Sequence, residues 1–115
     1  MSETAASFFA LDIARSGDEV VVRCRGKLVA GLNEILYTEV RQLIPGAKRV
    51  VLDLSELTHM DSMGLGTIVR LYVSARSAGC DLQLINLGKR VRQLLGVTNL
   101  LAVFTTVGET GISYL

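Results

Sequence analysis

Arg49-Val50-Val51-Leu52-Asp53-Leu54 runs into Ser55-Glu56-Leu57-Thr58-His59-Met60-Asp61-Ser62-Met63-Gly64-Leu65-Gly66. The first six residues have the near-continuous apolar character of a strand covered on both faces. Ser55 to Asp61 reads as a loop, and from Ser62 to Ala78 the spacing turns helical. Leu65, Ile68, Val69 and Tyr72 form one stripe, Arg70, Ser74 and Ser77 lie elsewhere, and Gly79 suits the position after the last turn. The unit is strand, loop, helix.

The flanks repeat that alternation. Upstream, Leu32, Ile35, Leu36, Glu39, Val40 and Leu43 follow helical spacing until Pro45-Gly46. Before them, Phe8 to Ala14 and Glu19 to Arg25 flank a Ser16-Gly17-Asp18 turn and predict a hairpin. Downstream come a strand over Asp81 to Asn86 and a short helix over Lys89 to Leu95, with Val91, Leu94 and Leu95 inward and Gly96 closing it. A strand around Val103 to Thr106 and a helical tail to Leu115 complete the chain. The order β-β-α-β-α-β-α-β makes the later strands parallel through right-handed crossovers. The expected fold is an α/β sandwich: a mixed, mostly parallel sheet with helices packed against it.

The chain has 115 residues, and no linker, repeat or low-complexity segment divides it, so residues 1–115 are expected to form a single domain. Lys+Arg number 12 against 11 Asp+Glu, a net charge of +1 that gives no reason to expect a nucleic-acid partner. Half of the residues are hydrophobic and 5% are aromatic, so the core is aliphatic. Cys24 and Cys80 form no Cys-x-x-Cys pair and the chain has one histidine, which excludes a His/Cys zinc cluster; buried thiols are expected, and no metal or cofactor. The N-terminus lacks the basic and apolar regions of a signal peptide, and no stretch reaches the roughly 18 apolar residues of a membrane span. A cytoplasmic protein is expected.

Sites in parallel sheets form beyond the carboxyl ends of the strands, which points to the loop after Leu54. A dinucleotide fingerprint would need a third glycine where Val69 stands. A nucleophile elbow would need Gly-x-Ser-x-Gly, but Met60 stands two before Ser62 and the only histidine, His59, precedes the serine. No Gly-Lys-Ser/Thr phosphate loop exists, so an enzyme is not expected. By spacing, Ser62 is a helix N-cap. Gly64 and Gly66 in one helical turn cost about 1 kcal/mol each relative to alanine, which points equally to close packing on the sheet or to approach by a partner's surface or a nucleotide.

Val51-Leu52-Asp53-Leu54 followed by Met60-Asp61-Ser62-Met63-Gly64-Leu65-Gly66 resembles the signature of STAS domains, specifically the bacterial anti-sigma factor antagonists. Gly26-Lys27-Leu28 upstream, and Asn86-Leu87, Val91, Leu95 and Gly96 downstream, match the same family's spacing. The resemblance implies a non-enzymatic STAS-like fold whose Ser62 is phosphorylated by an anti-sigma factor with serine kinase activity and restored by a phosphatase. Only the unphosphorylated form would bind that factor and release a sigma factor. It also implies a partner-binding surface of Leu28, Val29, Ala30 and Gly31 together with Asp61, Ser62, Met63, Gly64, Gly66 and Thr67. Asp61 would orient the Ser62 hydroxyl or contact the kinase; the alternative is that it simply supplies negative charge before a helix start.

Two positions depart from the family pattern: Val29, where an aspartate is common, and Met63, where a small residue is usual. Val29 supports a second expectation, a constitutive STAS scaffold subunit of a transporter or stress-signalling complex without a phospho-switch. Ser55 and Thr58 are less well placed as acceptors. Asp53 is expected to cap backbone at its strand end, His59 to be an exposed loop residue, and Lys89, Arg90 and Arg92 to form a solvated helix face.

Overall fold

A computed structural model describes residues 8–97 and 105–106 of the chain. The expected hairpin is present: β1 (Phe9–Ser16) and β2 (Glu19–Leu28) pair antiparallel, from Phe9 opposite Gly26 to Ser16 opposite Glu19. A helix, α1 (Asn33–Leu43), follows, and a single 3-10 turn over Ile44–Gly46 ends it where Pro45 removes a backbone donor. Then come β3 (Arg49–Met60), α2 (Ser62–Ser77), β4 (Asp81–Ile85), α3 (Lys89–Val97) and β5 (Thr105–Thr106). The five strands lie in sequence order in one sheet, with β2, β3, β4 and β5 parallel. The mixed, mostly parallel sheet read from the sequence is therefore the observed one.

Strand β3 departs from expectation by its length. Ser55 to Met60, read as loop, continue the strand and pair with β2, placing Glu56 opposite Arg25, His59 opposite Lys27 and Met60 opposite Leu28. The register shifts twice, between Arg23 and Arg25 and between Gly26 and Lys27. Such shifts twist a strand and expose its side chains, so Ser55, Glu56, Thr58 and His59 look like loop residues although they are paired. The connection from β3 to α2 is Asp61 alone.

The core lies between the sheet and the helices. Val20, Val22, Cys24 and Leu28 of β2, Val50, Leu52 and Leu54 of β3, and Leu82 and Leu84 of β4 share it with Leu36 and Val40 of α1 and Leu95 of α3. In α2 the buried stripe is Gly64, Leu65, Thr67, Ile68, Leu71 and Ala75; Val69 and Tyr72 are half-buried, so the helix is turned slightly from the predicted stripe. On the other side of β3, Val51 and Asp53 are also buried, as the apolar run predicted. Helix α3 extends through Gly96 to Val97 instead of closing at the glycine. Asn86 leaves the fourth strand at φ 56, a left-handed conformation that asparagine tolerates. Val103 and the helical tail lie outside the described residues.

Candidate functional site

The carboxyl ends of β2 and β3 and the N-terminus of α2 converge on Asp61. Its backbone is extended at φ −116 and ψ −173, and its side chain accepts from the Gly64 N–H at 3.0 Å, so Asp61 is the N-cap of α2. This corrects the expectation for Ser62. Asp and Ser are comparable caps, but the helix begins one residue later than spacing suggested, which puts Ser62 at its first position. Ser62 is exposed, and among the described residues its hydroxyl has no hydrogen-bond partner. The structural role that competed for that hydroxyl belongs to its neighbour.

The second carboxylate oxygen of Asp61 accepts from the Ala30 N–H at 3.0 Å, and the Asp61 N–H donates to the Leu28 carbonyl at 3.4 Å. The Ala30 N–H, then the Gly64 N–H, hold the Asp61 carboxyl below its ordinary pKa. The Asp61 carboxylate is thus held by backbone N–H groups on both of its oxygens.

Gly64 sits against the same carbonyl. A Cβ at Gly64 would run into the Leu28 oxygen, whereas one at Gly66 would meet nothing within 4 Å. The two readings of the glycines therefore separate: Gly64 serves close packing of the helix on the sheet, and Gly66 leaves bare backbone on the surface. Of the residues expected on a partner surface, Leu28, Gly64 and Thr67 are buried. Ala30, Gly31, Ser62, Met63 and Gly66 are exposed, Met63 at 53%, and Val29 and Asp61 are half-buried.

One support has no periodic signal in the sequence. Asn33 is buried, donates through Nδ2 to Thr67 Oγ1 at 2.9 Å, and Thr67 in turn donates to the Met63 carbonyl at 3.1 Å. This relay ties the start of α1 to the first turn of α2. Outside it, Arg70 bonds Glu34 at 2.9 Å and lies 3.8 Å from the Tyr37 ring centroid.

Asp53 bonds backbone as expected, accepting from the Ser55 N–H, but it does so from within β3 and not at a strand end, because the strand runs on to Met60. Burial raises the Asp53 pKa, but the Asn86 amide and the Ser55 N–H, each donating at 3.0 Å, and nearby Arg23 outweigh it, so the carboxyl titrates below its usual value. Thr58 donates to the Gly26 carbonyl, and His59 is exposed, though on a strand. Lys89 is exposed and Arg92 half-buried. Cys24 and Cys80 are buried free thiols, and burial pushes Cys24 up to about 12. Among the described residues no group of His, Cys, Asp and Glu could hold a metal, and no helix is long and apolar enough to cross a membrane.

Both depressed carboxyls give stability a definite acid limb. A carboxyl whose folded pKa lies below its unfolded value of about 3.9 contributes fully above that value and loses the contribution as pH falls through the folded pKa. Melting temperature should be nearly flat from pH 7 to about 5 and fall below about pH 4, less steeply in Asp53→Asn. A decline already complete by about pH 5 would contradict the assignment to these two carboxyls.

Known proteins share this fold. A family model described as the STAS domain matches residues 10–110. A STAS-domain containing protein of Pseudomonas aeruginosa (strain UCBPP-PA14) is 25% identical over 88 residues, covering 76% of this chain and 87% of that protein. A provisionally named anti-sigma factor antagonist of Thermotoga neapolitana, a TM1081 homolog, is 33% identical over 67 residues, 56% of this chain and 59% of that one. Among solved structures, the anti-sigma factor antagonist SpoIIAA of Bacillus shares the fold in two forms. The unphosphorylated form aligns at TM-score 0.74 with 19% identity, covering 88% of this chain and 90% of that one. The phosphorylated form aligns at 0.70 with 18% identity, covering 88% and 94%. With a family model matched over residues 10–110, a span that takes in the signature strand, Asp61 and the helix after it, the chain belongs to the STAS domain family.

Proposed function

We propose that this chain is an anti-sigma factor antagonist that binds a kinase-type anti-sigma factor when Ser62 is unphosphorylated, frees a sigma factor, and is switched off by phosphorylation of Ser62. A phosphatase would restore the binding form, and the site would be cytoplasmic. One observation carries the proposal: Ser62 is exposed at the first position of α2 while Asp61 satisfies the helix cap. Its hydroxyl can therefore be modified without removing a structural hydrogen bond. SpoIIAA, an anti-sigma factor antagonist with phosphorylated and unphosphorylated forms, supports the reading by analogy of fold.

The physics of the switch follows from the helix terminus. A phosphoserine adds about −1.5 to −2 charges at neutral pH. The positive end of the helix dipole favours such an anion by about 0.3–1 kcal/mol. The adjacent Asp61 carboxylate opposes it, so the two effects on folding largely offset each other. The surface changes far more, because a multiply charged group appears among Ala30, Gly31, Met63 and Gly66, none of which carries charge.

Incubation of the chain with the kinase-type anti-sigma factor and ATP, followed by mass-spectrometric mapping, tests the assignment. One phosphate at Ser62, absent from Ser62→Ala, is the expected result. Phosphate on Ser55 or Thr58 with Ser62→Ala still fully modified would refute it.

A further inference from the structure

We infer that Asp61 is a positioning residue whose carboxylate locks the Val29–Gly31 loop to the N-terminus of α2, so that this loop and the Ser62 hydroxyl meet a partner as one preformed face. The effect on a partner rests on the Ser62 reading above; the lock itself does not.

The loop is held at both ends by groups other than Asp61's carboxylate. At its start, the Leu28 carbonyl accepts from the Asp61 N–H and packs against Gly64. At its far end, the Val29 carbonyl accepts from the N–H groups of Leu32 and Asn33, each at 2.9 Å, and the Asn33 side chain bonds Thr67. Between these anchors the chain reverses at Gly31, φ +91, and the exposed Ala30 N–H points back to Asp61 Oδ2 at 3.0 Å. The other oxygen caps Gly64 at 3.0 Å.

The residue type follows from the inventory of acceptors. Ser, Thr, Asn and Asp all cap helices, but a hydroxyl is too short to reach two elements, and an amide would turn its NH2 toward one of the two N–H groups. Only a carboxylate offers an acceptor to each. A cap was needed at this position; a cap that also holds a second loop requires aspartate. Pre-ordering that loop spares a partner the cost of ordering it on binding.

Amide hydrogen exchange and kinase kinetics on Asp61→Ser and Asp61→Asn test the lock. In Asp61→Ser the hydroxyl still caps α2, so the Gly64 amide should stay protected while the Ala30 amide exchanges about tenfold faster or more. With a kinase-type anti-sigma factor that phosphorylates the wild-type chain, KM for Asp61→Ser should rise about tenfold with kcat within about twofold, since the acceptor hydroxyl is untouched. Asp61→Asn should also loosen Ala30, which keeps the test decisive if the serine variant folds poorly. Unchanged Ala30 exchange in both variants would overturn the lock. A fallen kcat with unchanged KM would overturn the positioning role by placing Asp61 in the chemistry. Failure of the wild-type chain to be phosphorylated at Ser62 would sink the functional reading alone, and the exchange data would still decide the lock.

Discussion

Ser62→Glu is expected to weaken binding of the anti-sigma partner by about ten- to a hundredfold while shifting the melting temperature by no more than about 2–3 °C. The two numbers come from different places on the molecule. For folding, the new carboxylate gains about 0.3–1 kcal/mol from the helix dipole and loses a comparable amount to Asp61 one residue away. Ser62 gives up no hydrogen bond among the described residues, because Asp61 is the cap. For binding, a partner carboxylate about 5 Å away would be repelled by about 3 kcal/mol per unit charge at an effective dielectric near 20, before salt screening. Even half of that is a tenfold loss of affinity. Isothermal titration beside thermal melting separates the two effects. A melting temperature lowered by 10 °C would return Ser62 to a structural role.

The second large effect separates two glycines that the sequence presents as a pair. Gly64→Ala places a Cβ against the Leu28 carbonyl, a backbone atom that cannot rotate away. Overpacking of this kind costs about 1–3 kcal/mol, which outweighs the gain of about 1 kcal/mol in helix propensity when the overlap is with backbone. The first turn of α2 should be pushed off β2, lowering the melting temperature by about 5–10 °C and disturbing the Asp61–Leu28 contact. Gly66→Ala meets open space. It should stabilise the fold by up to about 1 kcal/mol and yet weaken partner binding, because the bare backbone it fills lies beside Ser62 on the proposed docking face. Opposite stability shifts from one chemical change, read by melting curves, check the packing. Unchanged partner affinity in Gly66→Ala would remove this glycine from the docking face.

Where the sequence was legible, a period or a punctuation mark made it so. The apolar run Val50 to Leu54, the Ser16-Gly17-Asp18 turn and the Pro45-Gly46 stop are each local, and each lies where it was read, while the stripe of α2 is turned slightly from its reading. Ser55 to Met60 misled because two register shifts expose polar residues on a paired strand, and a bulge leaves no period. The cap was displaced by one residue because Asp61 and Ser62 are chemically interchangeable at an N-cap; only the extended backbone at Asp61 distinguishes them.

The remaining features of the site are non-local. Asn33 and Thr67 are 34 residues apart, and Ala30 and Asp61 are 31 apart. Nothing in either segment alone announces its partner. The glycines show the same limit: Gly64 and Gly66 are equivalent in the sequence, and only the Leu28 carbonyl, brought in by β2, tells them apart.

Partner affinity measured for one preparation before and after stoichiometric phosphorylation, and again after phosphatase treatment, bears on the switch without a surrogate side chain. Binding should fall at least tenfold on phosphorylation and return on dephosphorylation, with the melting temperature nearly constant throughout. Equal affinity in all three states, the behaviour of a constitutive scaffold, would contradict the switch.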